Sequence, residues 1–310
     1  MDDQQTYLLN GLLARQFDLG RIVRFRQVTR GRQATTFELL TAQQNEYLVY
    51  LYPASYSVEQ LEFAAGAVNS LDDNRFTVVP WAKGKAGTFV GEGLQNGRLM
   101  VSLGVAGAAL AAEQYTEHDV SQVGLRLAWM HRLLREQVAV PAETVPLAMR
   151  LERVVTGTGA EQSGATVPAI GRETIGRLVG LMGLPTSVQA GWVHGDLQAA
   201  ALMHDADHQL RMVMDWGLLH WGNPLEDVVD AFLALCVNGD GTFDKGRGEV
   251  LLEAYETLVP LEKVAWTVVV AAWCAQRIID AVGGRRGVPP NFSGIVGSPE
   301  AVATAIASCR

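Results

Sequence analysis

Cysteine is scarce in this chain: three in 310 residues, Cys236, Cys274 and Cys309, an odd number with no paired spacing. That excludes a disulfide framework or a cysteine zinc site as the organising feature, and a reducing cytoplasm is the expected setting. Long apolar runs are missing as well. The longest, Val264 to Ala275, has twelve residues, bounded by Lys263 and by Gln276-Arg277, against about twenty for a bilayer span, so it reads as a buried helix. Basic charge is in deficit. Lys and Arg total 25 against 33 for Asp and Glu, a formal charge of −8, which argues against a nucleic-acid or anionic-membrane partner, because such binders need basic stripes that neutralise phosphates. The opening Met1-Asp2-Asp3-Gln4-Gln5 is acidic and polar, where a secretory signal needs a basic start and an apolar run.

What the chain has is ample apolar content, 48% hydrophobic with 19% charged, in a length that exceeds most single cores, so two lobes are expected. From Ile22 to about Val105 the pattern is short alternating runs and turns. Thr35–Leu40, Tyr47–Tyr52, Phe76–Val79, Thr88–Val90 and Arg98–Leu103 read as strands, with glycines 84, 87, 91, 93 and 97 as turns. Pro53 ends the second run, and Ser57 caps a helix from Val58 to Leu71. Beyond Gly104 and Gly107 the period becomes helical, starting with Val120, Val123, Gly124, Leu127, Ala128, His131 and Leu134 on one face. The expected division is residues 1–104 as a β-rich lobe and residues 105–310 as a helical lobe. Gly157–Pro168 reads as a loop, and Ser298-Pro299-Glu300 opens a last short helix.

The most informative segment is Trp192-Val193-His194-Gly195-Asp196-Leu197, followed nineteen residues after Asp196 by Asp215 in Val213-Met214-Asp215-Trp216-Gly217. Between them, Leu202-Met203-His204 and Leu210–Val213 flank the polar turn Asp205-Ala206-Asp207-His208, a hairpin signal. A hairpin brings its open ends together, which places Asp196 near Asp215. Two carboxylates at the mouth of a cleft suit metal-assisted phosphoryl transfer: one accepts a hydroxyl proton, the other holds magnesium.

His194-Gly195-Asp196-Leu197 resembles the catalytic loop of aminoglycoside phosphotransferases and of the related choline, homoserine and fructosamine kinases, and Met214-Asp215-Trp216-Gly217 resembles their metal-binding segment. Gly222-Asn223-Pro224-Leu225-Glu226-Asp227 and the helix Gly124–His131 are similar to further parts of the same family, in the same order. The resemblance implies an α+β, protein-kinase-like bilobal fold, with a small antiparallel β N-lobe carrying one helix and a larger helical C-lobe. It implies ATP and Mg2+ as cofactors and a small-molecule hydroxyl acceptor as partner; the acidic balance permits an amine-bearing acceptor without requiring one. By the same resemblance Asp196 is the general base, Asp215 the magnesium ligand, and His194 a catalytic-loop residue whose ring ties the loop to backbone. Gln198 is a further amide that could reach the metal. Arg30, Gly31 and Arg32 of the phosphate-covering hairpin, Tyr50 of the third strand, and Ser102 and Leu103 at the end of the fifth run form the nucleotide-binding set.

The sequence departs from this family in three places. Where the third strand should carry a phosphate-gripping lysine or arginine stands Tyr50, where the following helix should carry its glutamate stands Ala64, and five residues beyond Asp196 an asparagine is replaced by Ala201. Glu59 and Glu62 read as a solvated helix face. Removing one preorganised electrostatic group costs roughly 10²–10³ in rate, and losses within one assembly are not additive. Two readings follow: a phosphotransferase with a modified phosphate grip, and a pseudokinase that keeps the fold for binding or regulation. In the helical lobe Trp216, His220, Trp221, Asp230 and the segment Tyr255–Arg277 are candidates to line the acceptor pocket, while Trp266 and Trp273, seven apart, read as core.

Overall fold

In chain order the computed structural model contains α1 (Asp3–Gln16), β1 (Ile22–Val28), β2 (Thr35–Thr41), β3 (Glu46–Tyr52), α2 (Val58–Ser70), β4 (Gly91–Glu92), β5 (Arg98–Leu103), β6 (Ala108–Ala109), α3 (Glu117–Gln137), α4 (Leu147–Thr156), α5 (Arg172–Met182), β7 (Gly191–Val193), β8 (Leu202–His204), β9 (Leu210–Val213), β10 (His220–Gly222), α6 (Leu225–Leu235), α7 (Lys245–Glu256), α8 (Trp266–Val282), α9 (Phe292–Gly297) and α10 (Pro299–Ala307). The structure describes residues 3–28, 33–71, 78–104, 107–156, 172–184, 189–285 and 292–310. The chain forms two units, Met1–Ala109 with Ala200–Leu219, and Leu110–Ala199 with His220–Arg310.

The first unit is built on an antiparallel sheet of order β1-β2-β3-β5-β4. Alternation fixes its two faces. Phe37, Leu39, Val49, Leu99 and Val101 point to one side and close a buried cluster with Leu9, Leu13 and Phe17 of α1 and with Leu19. Burying a Leu or Phe side chain stabilises by about 1.5–3 kcal/mol, so α1 is integral to this sheet. It was not among the expected elements: its hydrophobic stripe lies before the first strand signal, and Gly11 and a run of glutamines weaken its helical pattern.

Ser57 caps α2 as expected, its hydroxyl accepting the Gln60 amide at 3.0 Å. The strand expected at Thr88–Val90 does not form. The Gly84 amide donates to the Thr88 carbonyl and the Val90 amide donates to Glu62 Oε1 at 2.7 Å, so the segment closes a loop held by a helix side chain and β4 starts only at Gly91. Glu62 is therefore a loop anchor and not a solvated residue. Val78 and Val79 are also outside any strand, and Phe76, Thr77 and the Gly157–Pro168 stretch lie outside the described residues.

The hairpin is present. β8 pairs with β9, and β6 adds a third antiparallel strand. Asp205 closes the turn, its Oδ1 accepting the amides of Asp207 and Gln209 and its Oδ2 the Arg211 side chain.

Among its described residues the second unit is helical apart from β7 and β10, which pair antiparallel with Trp192 opposite Trp221. The helix α3 starts at a capping box, Thr116 with Asp119, and crosses α7 closely at Gly124, where a Cβ would lie 2.3 Å from the Leu251 carbonyl. Asn223 caps α6 through its Oδ1 and the Leu225 amide, with Glu226 reaching back to the Asn223 amide. The apolar run 264–275 becomes α8, buried along nearly its whole length and packed against α4, α5, α6 and α10. Among the described residues no helix is long and apolar enough to cross a membrane. Pro299 sits in the first turn of α10. All three cysteines are buried and free.

Candidate active site

The loop after β7 belongs to the second unit, and each of its backbone amides from His194 to Leu197 is received by a side chain. Asp227 Oδ2 accepts the His194 amide at 2.7 Å and Asp227 Oδ1 the Gly195 amide at 2.9 Å. The buried His194 ring accepts the Asp196 amide through Nδ1 at 3.2 Å, and Asp230 Oδ2 accepts the Leu197 amide at 3.2 Å. Gly195 supplies the left-handed φ of +85° that this tight path needs.

Asp227 is anchored in turn. Its Oδ2 lies 3.0 Å from His131 Nε2 on α3, and His131 Nδ1 lies 2.8 Å from the Tyr255 hydroxyl on α7. One imidazole therefore ties α3, α6 and α7 to the loop. Burial works to raise the Asp227 carboxyl, but the His131 hydrogen bond, the His131 and His194 charges and the Gly195 amide outweigh it and hold the group below the usual range.

Asp196 is buried and faces α8. Arg277 Nη1 lies 3.4 Å from Asp196 Oδ1, and Arg277 Nη2 donates to Asp230 Oδ1. Trp273 Nε1 donates to the same Asp230 oxygen, and the guanidinium lies over the Trp273 ring, 5.2 Å from its centroid. Arg277 is only 1% exposed. Neither role was legible beforehand: Arg277 marked the polar edge of an apolar run, and Trp273 was assigned to the core, although the i, i+4 spacing of the two on α8 was a usable signal. Gln198 is half-buried in the turn that follows, where its backbone N–H donates to the Asp196 carbonyl at 3.0 Å.

Asp215 belongs to the first unit and occupies the left-handed region, φ 64° and ψ 50°, one that Asp tolerates better than most residues. Three side chains hold its turn. Gln33 Nε2 donates to the Asp215 carbonyl at 2.8 Å, Gln60 Nε2 to the Gly217 carbonyl at 3.1 Å, and Trp216 Nε1 to the Val213 carbonyl at 3.0 Å. Gly217 is required by close approach, since a Cβ there would lie 2.6 Å from Gln33 Oε1 and 2.8 Å from Tyr52 Cε1. Burial, followed by the charge of Asp215, pushes the Tyr52 hydroxyl pKa up. Gln33 is thus a support of the aspartate turn.

Tyr50 is 2% exposed and sits in an aromatic cluster, edge-on to Trp81 at 5.0 Å and stacked with Tyr52 at 6.2 Å. Ala64 and Ala201 are buried, and the Ala201 carbonyl accepts the Met214 amide. Ser102 is buried, and Leu103 is half-exposed with its amide donating to the Pro80 carbonyl. Arg30, Gly31 and Arg32 lie outside the described residues. Among the described residues no group of three or more His, Cys, Asp or Glu side chains is placed to hold a metal ion. Magnesium needs no such cage, being held elsewhere by one or two carboxylates together with substrate phosphates, so the Asp215 carboxylate fits it; for the triphosphate, Tyr50 offers no cation.

A family model described as the phosphotransferase enzyme family matches residues 24–261. No curated protein matches the chain in sequence. Among solved structures, an aminoglycoside phosphotransferase from Alicyclobacillus acidocaldarius superposes with a TM-score of 0.62 at 13% identity, covering 97% of this chain and 95% of that one. A choline kinase from Streptococcus pneumoniae gives 0.62 at 11% identity over 99% and 100% of the two chains. An amicoumacin kinase, solved in complex with AMP-PNP, Ca2+ and Ami, gives a TM-score of 0.64 at 13% identity over 98% and 93% of the two chains. At these identities the likenesses establish the kinase-like α+β fold.

Proposed function

The chain belongs to the phosphotransferase enzyme family, whose model spans residues 24–261, and from that membership we propose that it transfers a phosphoryl group from ATP, with magnesium, to the hydroxyl of a small molecule in the cytoplasm. The observation that carries this reading is the complete set of side-chain acceptors for the amides of residues 194 to 197. Positioning is most of what a protein contributes to phosphoryl transfer, and this loop presents Asp196 from a backbone with no loose amide.

In this scheme the Asp196 carboxylate accepts the proton of the acceptor hydroxyl, His194 and Asp227 hold the loop, and Arg277 sets the orientation of the Asp196 carboxylate through its 3.4 Å contact. Asp215 would hold magnesium, with the Gln198 amide oxygen as a candidate second ligand; bound there, the metal would neutralise charge on the β- and γ-phosphates. Arg30, Gly31, Arg32, Tyr50, Ser102 and Leu103 remain the proposed nucleotide contacts. The similar amicoumacin kinase, solved with AMP-PNP and Ca2+, supports nucleotide and divalent metal as the cofactors.

A pseudokinase, binding without transfer, is favoured by one observation: Tyr50 is buried among aromatic rings where the family resemblance implies a phosphate-gripping cation. Thermal unfolding with ATP, with and without magnesium, followed by transfer from labelled ATP to a panel of hydroxyl compounds, tests the two. A magnesium-dependent stabilisation that Asp215→Asn removes, with transfer that Asp196→Asn removes, supports the enzyme. Stabilisation without any transfer supports the binding module, and no response to millimolar ATP sinks both.

A further inference from the structure

Within the first unit, the end of α1, the loop of residues 84–92 and the start of β5 enclose a cavity of about 520 Å3. That volume falls in the range of small-molecule sites, roughly 300–1,000 Å3. Local bonds fix its walls. Gln16, at the end of α1, holds both backbone groups of Glu92, its Oε1 accepting the amide at 2.6 Å and its Nε2 donating to the carbonyl at 2.9 Å. The Lys85 amide donates to the Gln16 carbonyl at 2.8 Å. None of the residues lining the cavity is among those given above to nucleotide, metal or acceptor.

Arg15, Lys85 and Arg98 line this cavity, with Glu92 as the one carboxylate among the described lining residues. That is an excess of two positive charges on a chain whose formal charge is −8. Among the described residues the three cations have no counter-ion. Lys85 Nζ donates to the Ala14 carbonyl at 2.8 Å, and Arg98 Nη1 to the Asn96 carbonyl at 2.6 Å and the Gly97 carbonyl at 3.4 Å. Neutral carbonyls fix where these charges sit without cancelling them, and they leave most of the donors of each group unused. Arg98 Nε is shielded from water and has no acceptor, a cost that folding alone does not recover. Glu92 stands opposite Arg98 in the β4–β5 pairing, yet its carboxylate makes no ion pair with any of the three among the described residues.

Phe17, Val58 and Val90 give the same cavity an apolar side. A phosphate monoester carries a charge of about −1.5 to −2 at neutral pH and three acceptor oxygens, which matches both the excess charge and the number of cations, and guanidinium forks suit its oxygens. We propose that this cavity is a second ligand site, for a phosphate monoester with a small apolar body, the phosphate held by Arg15, Lys85 and Arg98 and the body lying against Phe17, Val58 and Val90. A sulfate ester of the same shape brings less charge and an alcohol none, so charge is the property by which the site selects. The assignment goes beyond the phosphotransfer reading and does not depend on it, because the two use different residues.

The test uses the full chain without nucleotide or magnesium. Calorimetric titration compares phenyl phosphate with phenyl sulfate and phenol, which share its ring. Phenyl phosphate should bind, the sulfate more weakly and phenol least. The double variant Arg15→Gln with Lys85→Gln, both at exposed positions, should weaken phenyl phosphate roughly tenfold or more, the usual worth of one charge-assisted hydrogen bond. Glu92→Gln, which removes the one carboxylate, should bind it more tightly than wild type, a gain that damage to the fold could not produce and that places the ligand in this cavity. The proposal is overturned if phenyl phosphate does not bind at tens of millimolar, if the sulfate or phenol binds as well, if the double variant binds unchanged, or if Glu92→Gln brings no gain. A chain that binds phenyl phosphate as expected yet transfers no phosphate from ATP would refute the phosphotransfer reading and leave this assignment standing.

Discussion

Arg277 reaches Asp196 and Asp230 with the two amino groups of one guanidinium, so the proposed base and its neighbour share a single positive charge in a place closed to water. A charge so shared is sensitive to the protonation of either partner, and that sensitivity is measurable.

Burial pushes Asp230 up to about 7, with Arg277 opposing and the Asp196 charge reinforcing the rise. The folded value thus lies above the unfolded one of about 3.9. The native state binds more protons than the unfolded state between those two values, so this contribution to stability is complete below about pH 4 and is lost as pH rises through about 7. In Asp230→Asn the titration is gone. The thermal midpoint of wild type should therefore fall more steeply than that of Asp230→Asn between pH 5 and 8, and parallel curves would contradict the assignment.

Gly217→Ala drives a Cβ into Gln33 Oε1 and Tyr52 Cε1. Overpacking of this kind costs about 1–3 kcal/mol, and the turn that carries Asp215 has no slack, since Gln33 and Gln60 bind its carbonyls. Urea unfolding should show a lower midpoint with an unchanged slope. Any magnesium-dependent stabilisation by ATP should shrink in the same variant.

Tyr50→Lys restores the cation that the family resemblance implies, but at a position 2% exposed against Trp81 and Tyr52. Aromatic pairs are worth about 0.5–1.5 kcal/mol beyond their buried area, and an ammonium buried without a partner is costly. The ligand-free variant should melt several degrees below wild type. With magnesium and ATP it should recover more than wild type gains, because the phosphates would supply its counter-ion; equal shifts in both proteins would mean that the strand does not face the nucleotide.

Local rules made much of this molecule readable. Alternation marked β2, β3 and β5, Ser57 marked the start of α2, and the polar turn at Asp205 marked the β8–β9 hairpin, since each depends on neighbours in sequence. The strand expected at Thr88–Val90 failed because Glu62, 28 residues earlier, takes the Val90 amide. At the candidate site the loop aspartate was legible from His194-Gly195-Asp196-Leu197, and Asp227 only as the end of a segment with a family resemblance. Arg277 and Trp273 were not, because an arginine at the end of a valine- and alanine-rich run looks like a helix boundary until the fold turns it onto two carboxylates. Gln33 was hidden for the same reason, its partner being a carbonyl 182 residues away.

The thiols of Cys236, Cys274 and Cys309 all fall in the unit of Leu110–Ala199 and His220–Arg310, and burial holds each above its ordinary pKa. A maleimide or disulfide reagent can thus modify Cys236 and Cys274 only when that unit opens. Labelling kinetics under native conditions would time the opening of the helical part alone, while circular dichroism follows the whole chain, so the two parts can be ranked in stability without altering a residue.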